Sequence, residues 1–143
     1  MLRLENKVAV ITGSSSGIGE GVAKAYAEEG AIVIVNFPNK AEEKNADQVV
    51  QTLKTISPNS IAIRADVSNE KEVIDMVNEV KQTFGTIDIL VNNAGIATSA
   101  FIHEMSSNMW DELLSIHLKG TFLCTREALK IMYENNYGKI INT

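Results

Sequence analysis

Cysteine is almost missing from this sequence of 143 residues: Cys124 stands alone, so no internal disulfide can form. With only two histidines beside it, the chain also lacks the usual ligands of a structural zinc site, and no metal is expected. A reducing, cytoplasmic setting suits that scarcity. Long apolar runs are absent too, since stretches such as Ala31 to Val35 fall far short of the ~20 residues that a membrane-spanning helix needs. The opening Met1-Leu-Arg-Leu-Glu-Asn-Lys7 places Glu5 and Asn6 where a signal peptide would need an apolar core. Nor is there an excess of positive charge. Thirteen basic residues against eighteen acidic ones leave a net charge of -5, which matches neither a phosphate backbone nor an anionic membrane across a whole face. Nucleic acid and membrane are therefore not expected as partners. The two prolines, Pro38 and Pro58, fall in or beside connections, and no repeat, low-complexity tract or linker divides the chain.

What is present is apolar material, 45% of the residues, in a length that suits one domain of roughly 100–200 residues. It is organised in two alternating ways. Short β-branched runs, Val8-Ala-Val-Ile11, Ile32-Val-Ile-Val35, Ile61-Ala-Ile63, Ile87-Asp-Ile-Leu-Val91 and Ile140-Ile141, predict five strands. Between them lie helical patterns, such as Val73, Val77, Val80 and Phe84, which form one stripe on a helix starting near Ser68 or Asn69 and ended by Gly85. Every connection is long enough for a crossover, so the strands should pair in parallel. Strands apolar on both faces and covered by helices give an α/β fold, a doubly wound parallel sheet of the Rossmann-like kind.

The first strand runs into Thr12-Gly-Ser-Ser-Ser-Gly-Ile-Gly19, followed by a helical stretch with Val22, Ala25 and Tyr26 on a shared side. This is where a phosphate cradle belongs. Gly13 lets the chain turn out of the strand, Gly17 and Gly19 remove side chains where a pyrophosphate and the sheet approach, and the helix start offers free amides. Ser14, Ser15, Ser16 and Ile18 complete the candidate loop. The spacing is not that of a Walker loop, which needs Lys and then Ser or Thr after its last glycine. An ordinary glycine-rich strand-to-helix turn would look similar, just as Asp66, Asn92 and Asn93 also suit turns.

Taken in order, however, Thr12 to Gly19, Asp66-Val67 after the third strand and Asn92-Asn-Ala-Gly95 after the fourth resemble the short-chain dehydrogenase/reductase family. All three stand at carboxyl ends of strands, where ligands of open sheets bind. The resemblance implies an NAD(P)-dependent oxidoreductase that moves a hydride between nicotinamide and an alcohol or ketone. It assigns Asp66 and Val67 to the adenine ring, Asn93 to tying strands together beside the cofactor, Gly95 to avoiding a side chain near the ribose, and Ala94 to the cofactor-binding residues. At the end of the second strand an Asp or Glu would favour NAD; Asn36 stands there, so NADP is favoured and NAD remains possible. Lys40, or the hydroxyls of Ser14 and Ser15, could bond a 2′-phosphate, although Lys40 also suits a solvated place in the charged stretch Ala41-Glu-Glu-Lys44.

The family's acid/base centre joins a Ser, a Tyr and a Lys four residues after the Tyr. Tyr26, Tyr133 and Tyr137 are followed at that distance by Gly30, Tyr137 and Ile141, so the pair is not in this chain. Because Gly138-Lys-Ile-Ile-Asn-Thr143 resembles the family's fifth strand, residues 1–143 are expected to form an NAD(P)-binding domain incomplete at its C-terminus, without the later strands and the Ser/Tyr/Lys centre. The fifth strand would then be a bare edge exposing Ile140 and Ile141.

His117 occupies the place of the family's relay asparagine on the long helix that includes Trp110. It is expected either to hold the relay water or shuttle the proton, or to pack on a stripe with Trp110, Leu113 and Leu114. Around His103 the sequence is similar to glucose 1-dehydrogenases and 3-oxoacyl carrier-protein reductases alike, which leaves the substrate between a sugar and a 3-oxoacyl class. Leu118, Phe122, Leu129 and Met132 correspond to a helix that joins subunits in the family, implying a homotetramer. A non-catalytic dinucleotide-binding module or sensor is the alternative function, and a sugar-nucleotide epimerase suits the glycine spacing less well.

Overall fold

β-branched residues alternate between two apolar faces along the strands, and each face has its own helices. A computed structural model describing residues 1–143 contains five strands, β1 Val8–Ile11, β2 Ile32–Phe37, β3 Ile61–Arg64, β4 Ile89–Asn92 and β5 Lys139–Asn142. The helices are α1 Gly17–Glu28, α2 Glu43–Leu53, α3 Glu70–Phe84, α4 Ser107–Leu114 and α5 Gly120–Glu134. All strand pairs are parallel, in the order β3-β2-β1-β4-β5. Ala9, Ile11, Val33 and Val35 meet Ala23 and Ala27 of α1 and Val49 and Leu53 of α2 in one core. Val8, Val10, Ile34 and Leu90 point the other way, into a second core with Val73 and Val80 of α3 and Leu123 and Ile131 of α5. Burial on both faces is why the strands read as unbroken apolar runs. The sheet is thus the doubly wound parallel one, and its order reverses between β1 and β4.

Local signals end the helices where expected. Asn69 caps α3 by accepting the Glu72 amide at 3.2 Å, and Gly85 closes it with a φ of 77°. β4, in contrast, starts at Ile89 rather than Ile87. Asp88 turns its carboxylate to the first amide of β1, accepting from Val8 N at 2.8 Å.

The long helix expected through Trp110 is not uniform. A π-helical segment, Ser115–Lys119, separates α4 from α5 and shifts the register between them. Trp110 is half-exposed instead of sharing a core stripe, and α4 buries none of its residues. Beyond the shift, Cys124 and Met132 enter the core while Leu118 and Phe122 face outward. Burial pushes the Cys124 thiol up to about 12, which leaves it unreactive. β5 lies at the sheet edge, with Ile141 exposed and Ile140 packed against the core. No helix is long and apolar enough to cross a membrane.

α5 is stapled to α3 by a charged cluster. Glu127, with a side chain only 7% exposed, accepts from Arg126 Nε at 2.8 Å and Lys130 Nζ at 2.6 Å, and Arg126 reaches Glu70 on α3 at 2.5 Å. Burial alone would raise the Glu127 carboxyl, but the bonds and charges of Lys130 and Arg126 together hold it below its ordinary value of 4.5. A folded-state value below the ordinary one means that this stabilisation is present above the unfolded value and is lost as pH falls through the folded one. Glu127→Gln should therefore cost about 1–2 kcal/mol at neutral pH. Urea unfolding at neutral and acid pH checks this, with the difference between the two proteins expected to shrink in acid; an equal deficit at both would remove the ionic staple.

Candidate functional site

The site begins with the hydroxyl of Thr12, just past β1. It donates to Val91 O at 3.3 Å and accepts from the amides of Asn93 and Ala94, each at 2.9 Å. Its bonding capacity is then filled. The exit of β4 is drawn against the exit of β1, and Asn93 completes the join by donating from Nδ2 to Thr12 O at 3.1 Å and Gly13 O at 3.2 Å. Two neighbours tolerate this closeness only without side chains. Gly13, at a φ of +61°, would put a Cβ 2.8 Å from Ala94 Cα, and one on Gly19 would sit 2.5 Å from Gly13 O and 2.6 Å from Asn93 Nδ2.

β2 holds the loop from the other side. Asn36, almost wholly buried, accepts the Gly13 amide on Oδ1 at 3.1 Å and donates from Nδ2 to Ala65 O at 3.0 Å and Ile63 O at 3.4 Å. Ser14 donates its hydroxyl to Ile11 O at 2.7 Å and receives the Asn36 amide at 3.2 Å. Both residues were expected to face a ligand. Instead β2 extends through Asn36 to Phe37, which puts Asn36 inside the sheet with its carboxamide committed to backbone. Ser14 is fully buried behind the loop.

The pinned loop delivers the chain to α1. Ser16 is extended at the N-cap and makes no side-chain cap bond, so the first-turn amides keep their free donors and the positive end of the helix dipole. Gly17 has a φ of +58°, and open space where a Cβ would stand. Beside the loop opens a cleft of about 440 Å³. Gly13, Ser15 and Ser16 form one wall, Asn36, Pro38, Asn39 and Glu42 the β2 side, Ala65, Asp66 and Val67 the β3 exit, and Ala94, Gly95 and Ile96 the β4 exit. Glu112 and Ile116 border the remaining side.

Of the candidate residues, Gly13, Ser15, Ser16, Asn36, Asp66, Val67, Ala94 and Gly95 therefore share one cleft. Ser14, Gly17, Ile18, Gly19 and Asn93 do not border it: Ser14, Gly19 and Asn93 hold the loop's shape, and Ile18 is exposed. Asp66 Oδ1 accepts from Ser68 N at 2.9 Å and Ser68 Oγ at 2.6 Å, so one oxygen fixes its own turn and Oδ2 stays free. Val67 is buried against Gly120, where a Cβ would come within 2.7 Å of its Cγ2.

His117 lies in the π-helical segment, with its ring filling the space beside Gly95. Nε2 is 2.8 Å from Ile96 O and 3.0 Å from Ile96 N, donating to the first or accepting from the second according to tautomer. Nε2 thus faces backbone, and Nδ1 has no hydrogen-bond partner. Glu42 and the π-helical segment are parts of the site that the residue patterns did not reveal. Thr12 was visible as the first residue of the loop motif, though not its bonds to the β4 exit, while Glu42 reads in sequence as one of several solvated acids.

Comparison with known proteins adds relatives to this geometry. The family described as short chain dehydrogenase matches residues 7–143. The chain is 42% identical to an oxidoreductase of Bacillus subtilis, YxbG, covering 100% of this chain and 51% of that protein. It is 39% identical to the 3-oxoacyl-[acyl-carrier-protein] reductase FabG of Staphylococcus epidermidis, over 96% of this chain and 55% of the relative. A crystal structure described as that of a short-chain alcohol dehydrogenase from Sinorhizobium meliloti superimposes with a TM-score of 0.91 at 31% identity, over 97% of this chain and 54% of that one. The chain spans about half the length of the curated relatives it matches.

The clasp makes a specific demand on Thr12. Thr12→Val keeps the shape but leaves the Asn93 and Ala94 amides without their acceptor, and should cost about 2 kcal/mol. Thr12→Ser keeps the hydroxyl and should cost less than about 1 kcal/mol. Denaturant unfolding of the two variants decides the point, and equal losses would count against the hydroxyl.

Proposed function

Because the chain belongs to the short-chain dehydrogenase family, we propose that it forms the dinucleotide-binding part of an NAD(P)-dependent oxidoreductase acting on an alcohol or ketone of the sugar or 3-oxoacyl class. The observation that carries this is the glycine loop. It is clamped between β2 and β4, leaves the α1 amides free, and borders the cleft where the strand order reverses.

The residues suit such a group. Pyrophosphate oxygens would accept from the first-turn amides of α1, with Gly17 leaving room for their approach. Val67 and Asp66 would flank the adenine, the free Asp66 Oδ2 accepting from its amino group. Ala94 and Gly95 would let the ribose lie against the β4 exit, while Asn36, Ser14 and Asn93 keep the loop's shape without touching the ligand. His117 would act as a positioning residue that holds Ile96. The bound dinucleotide supplies or accepts the hydride. On this reading the Ser, Tyr and Lys that exchange the substrate proton in the family lie outside these residues, because no Tyr is followed by Lys at the required spacing.

Both NAD and NADP suit the pyrophosphate cradle. Asn36, one ground for favouring NADP, is committed within the sheet, so the choice falls to residues at the cleft rim. Exposed Leu118 and Phe122 beside the π-helical segment support assembly into a homo-oligomer such as a tetramer, and one buried, unpaired cysteine suits a cytoplasmic setting. The missing Tyr-Lys pair favours one other reading, a dinucleotide-binding module without catalysis.

Binding and turnover separate the two. Saturating NADH or NADPH should stabilise the protein by about 2.7 kcal/mol at a hundred times Kd, seen as a rise of several degrees in melting temperature. Turnover is read with the chain joined to a segment that supplies the Ser, Tyr and Lys: oxidation of the bound dinucleotide by a 3-oxoacyl thioester or a sugar ketone then supports the enzyme, binding without turnover supports the module, and no binding rejects both.

A further inference from the structure

The cleft is acidic for a site that would hold an anion. Glu42, Asp66 and Glu112 line it, and no lysine, arginine or histidine does. The α1 amides can serve a pyrophosphate, but nothing at the walls offers a positive charge to a further phosphate. Lys40, the cation that sequence suggested for that purpose, is exposed and is not among the lining residues.

Glu42 is the acid with a defined place. It ends the short 3₁₀ turn Lys40–Glu42, which follows the β2 exit and is capped by Asn39 accepting the Ala41 amide at 3.0 Å. Its Oε2 receives the Ser15 hydroxyl and Asn45 Nδ2, both at 3.1 Å. Ser15 belongs to the glycine loop, so the carboxylate is latched to the cradle. Both bonds use one oxygen, which leaves Oε1 free to accept.

We propose that Glu42 determines cofactor choice, accepting through Oε1 from the adenosine ribose hydroxyls and selecting NAD over NADP. The inference rests on the dinucleotide reading above. Its placement follows from connectivity: Glu42 joins the β2 exit to Ser15 and lines the same cleft as Ser16, the N-cap of α1, and the Asp66-Val67 pair that would flank the adenine. Unmodified ribose brings two donors to the free oxygen. A 2′-phosphate replaces one with a group of charge about -1.5 to -2, against a carboxylate and without a counter-ion. The neutral Asn36 does not alter this balance, since its polar atoms are already bonded to backbone.

Titration calorimetry of this chain with NADH and NADPH tests the assignment in wild type, Glu42→Gln and Glu42→Lys. Wild type should bind NADH at least about tenfold more tightly than NADPH. Glu42→Gln retains an acceptor for Ser15 but loses the charge, and should tighten NADPH about tenfold while changing NADH by less than about threefold. Glu42→Lys should reverse the preference. Melting temperatures without ligand monitor folding, and a variant that fails to fold leaves the wild-type preference and the other variant to decide. A wild type that prefers NADPH, or variants that shift both cofactors alike, would overturn the role of Glu42 and leave the dinucleotide reading intact. Absence of binding by either cofactor would overturn both.

Discussion

One threonine hydroxyl joins the two halves of the sheet where the site lies. Thr12 sits where β1 ends, and its side chain answers two amides and one carbonyl of the strand that follows the reversal in order. Without that clasp, the exits of β1 and β4 would be held by the Thr12 amide on Val91 O, at 3.0 Å, and by the Asn93 carboxamide. With it, Asn93 lies close enough to bond the backbone of the glycine loop, and the small residues at positions 13, 19 and 94 become a requirement of distance.

The clamp is built from neutral groups. Thr12, Ser14, Asn36 and Asn93 fasten the loop through hydroxyls and carboxamides, so the positive end of α1 is left uncompensated by nearby counter-charge from these pins. Ionic contacts are kept elsewhere, as in the Glu127 cluster that staples α5 to α3. At the cleft itself the fixed charges are carboxylates on the rim. An anion placed there would meet the amide dipoles of α1 on one side and the carboxylates of Glu42, Asp66 and Glu112 at the walls.

The parts of this design that are local in sequence were legible there. Five β-branched runs, the Asn69 cap, the Gly85 stop and the glycine spacing each act within a few residues; all five runs form strands, with bounds that shift at β2 and β4, and the cap and stop stand where pattern placed them. Contacts made at a distance were not legible. Asn36 looked like a strand-end residue facing a ligand, but β2 runs further than its apolar run and turns that side chain toward Ala65 O and the loop. His117 fell on a plausible helical stripe with Trp110 until the π-helical segment changed the register and sent its ring to Ile96. Glu42 is one acid in a charged stretch, and only its bond to Ser15, 27 positions away, marks it out.

The cradle is built before any ligand arrives, because Asn36 holds the Gly13 amide and Thr12 holds the amides of Asn93 and Ala94. Amide hydrogen exchange of the ligand-free protein, resolved by residue, measures this directly. Gly13, Asn93 and Ala94 should exchange as slowly as the amides within β1, far more slowly than the stretch from Thr98 to Phe101 that lies outside the strands and helices. Exchange of those three amides at the rate of that open stretch would contradict a preformed site.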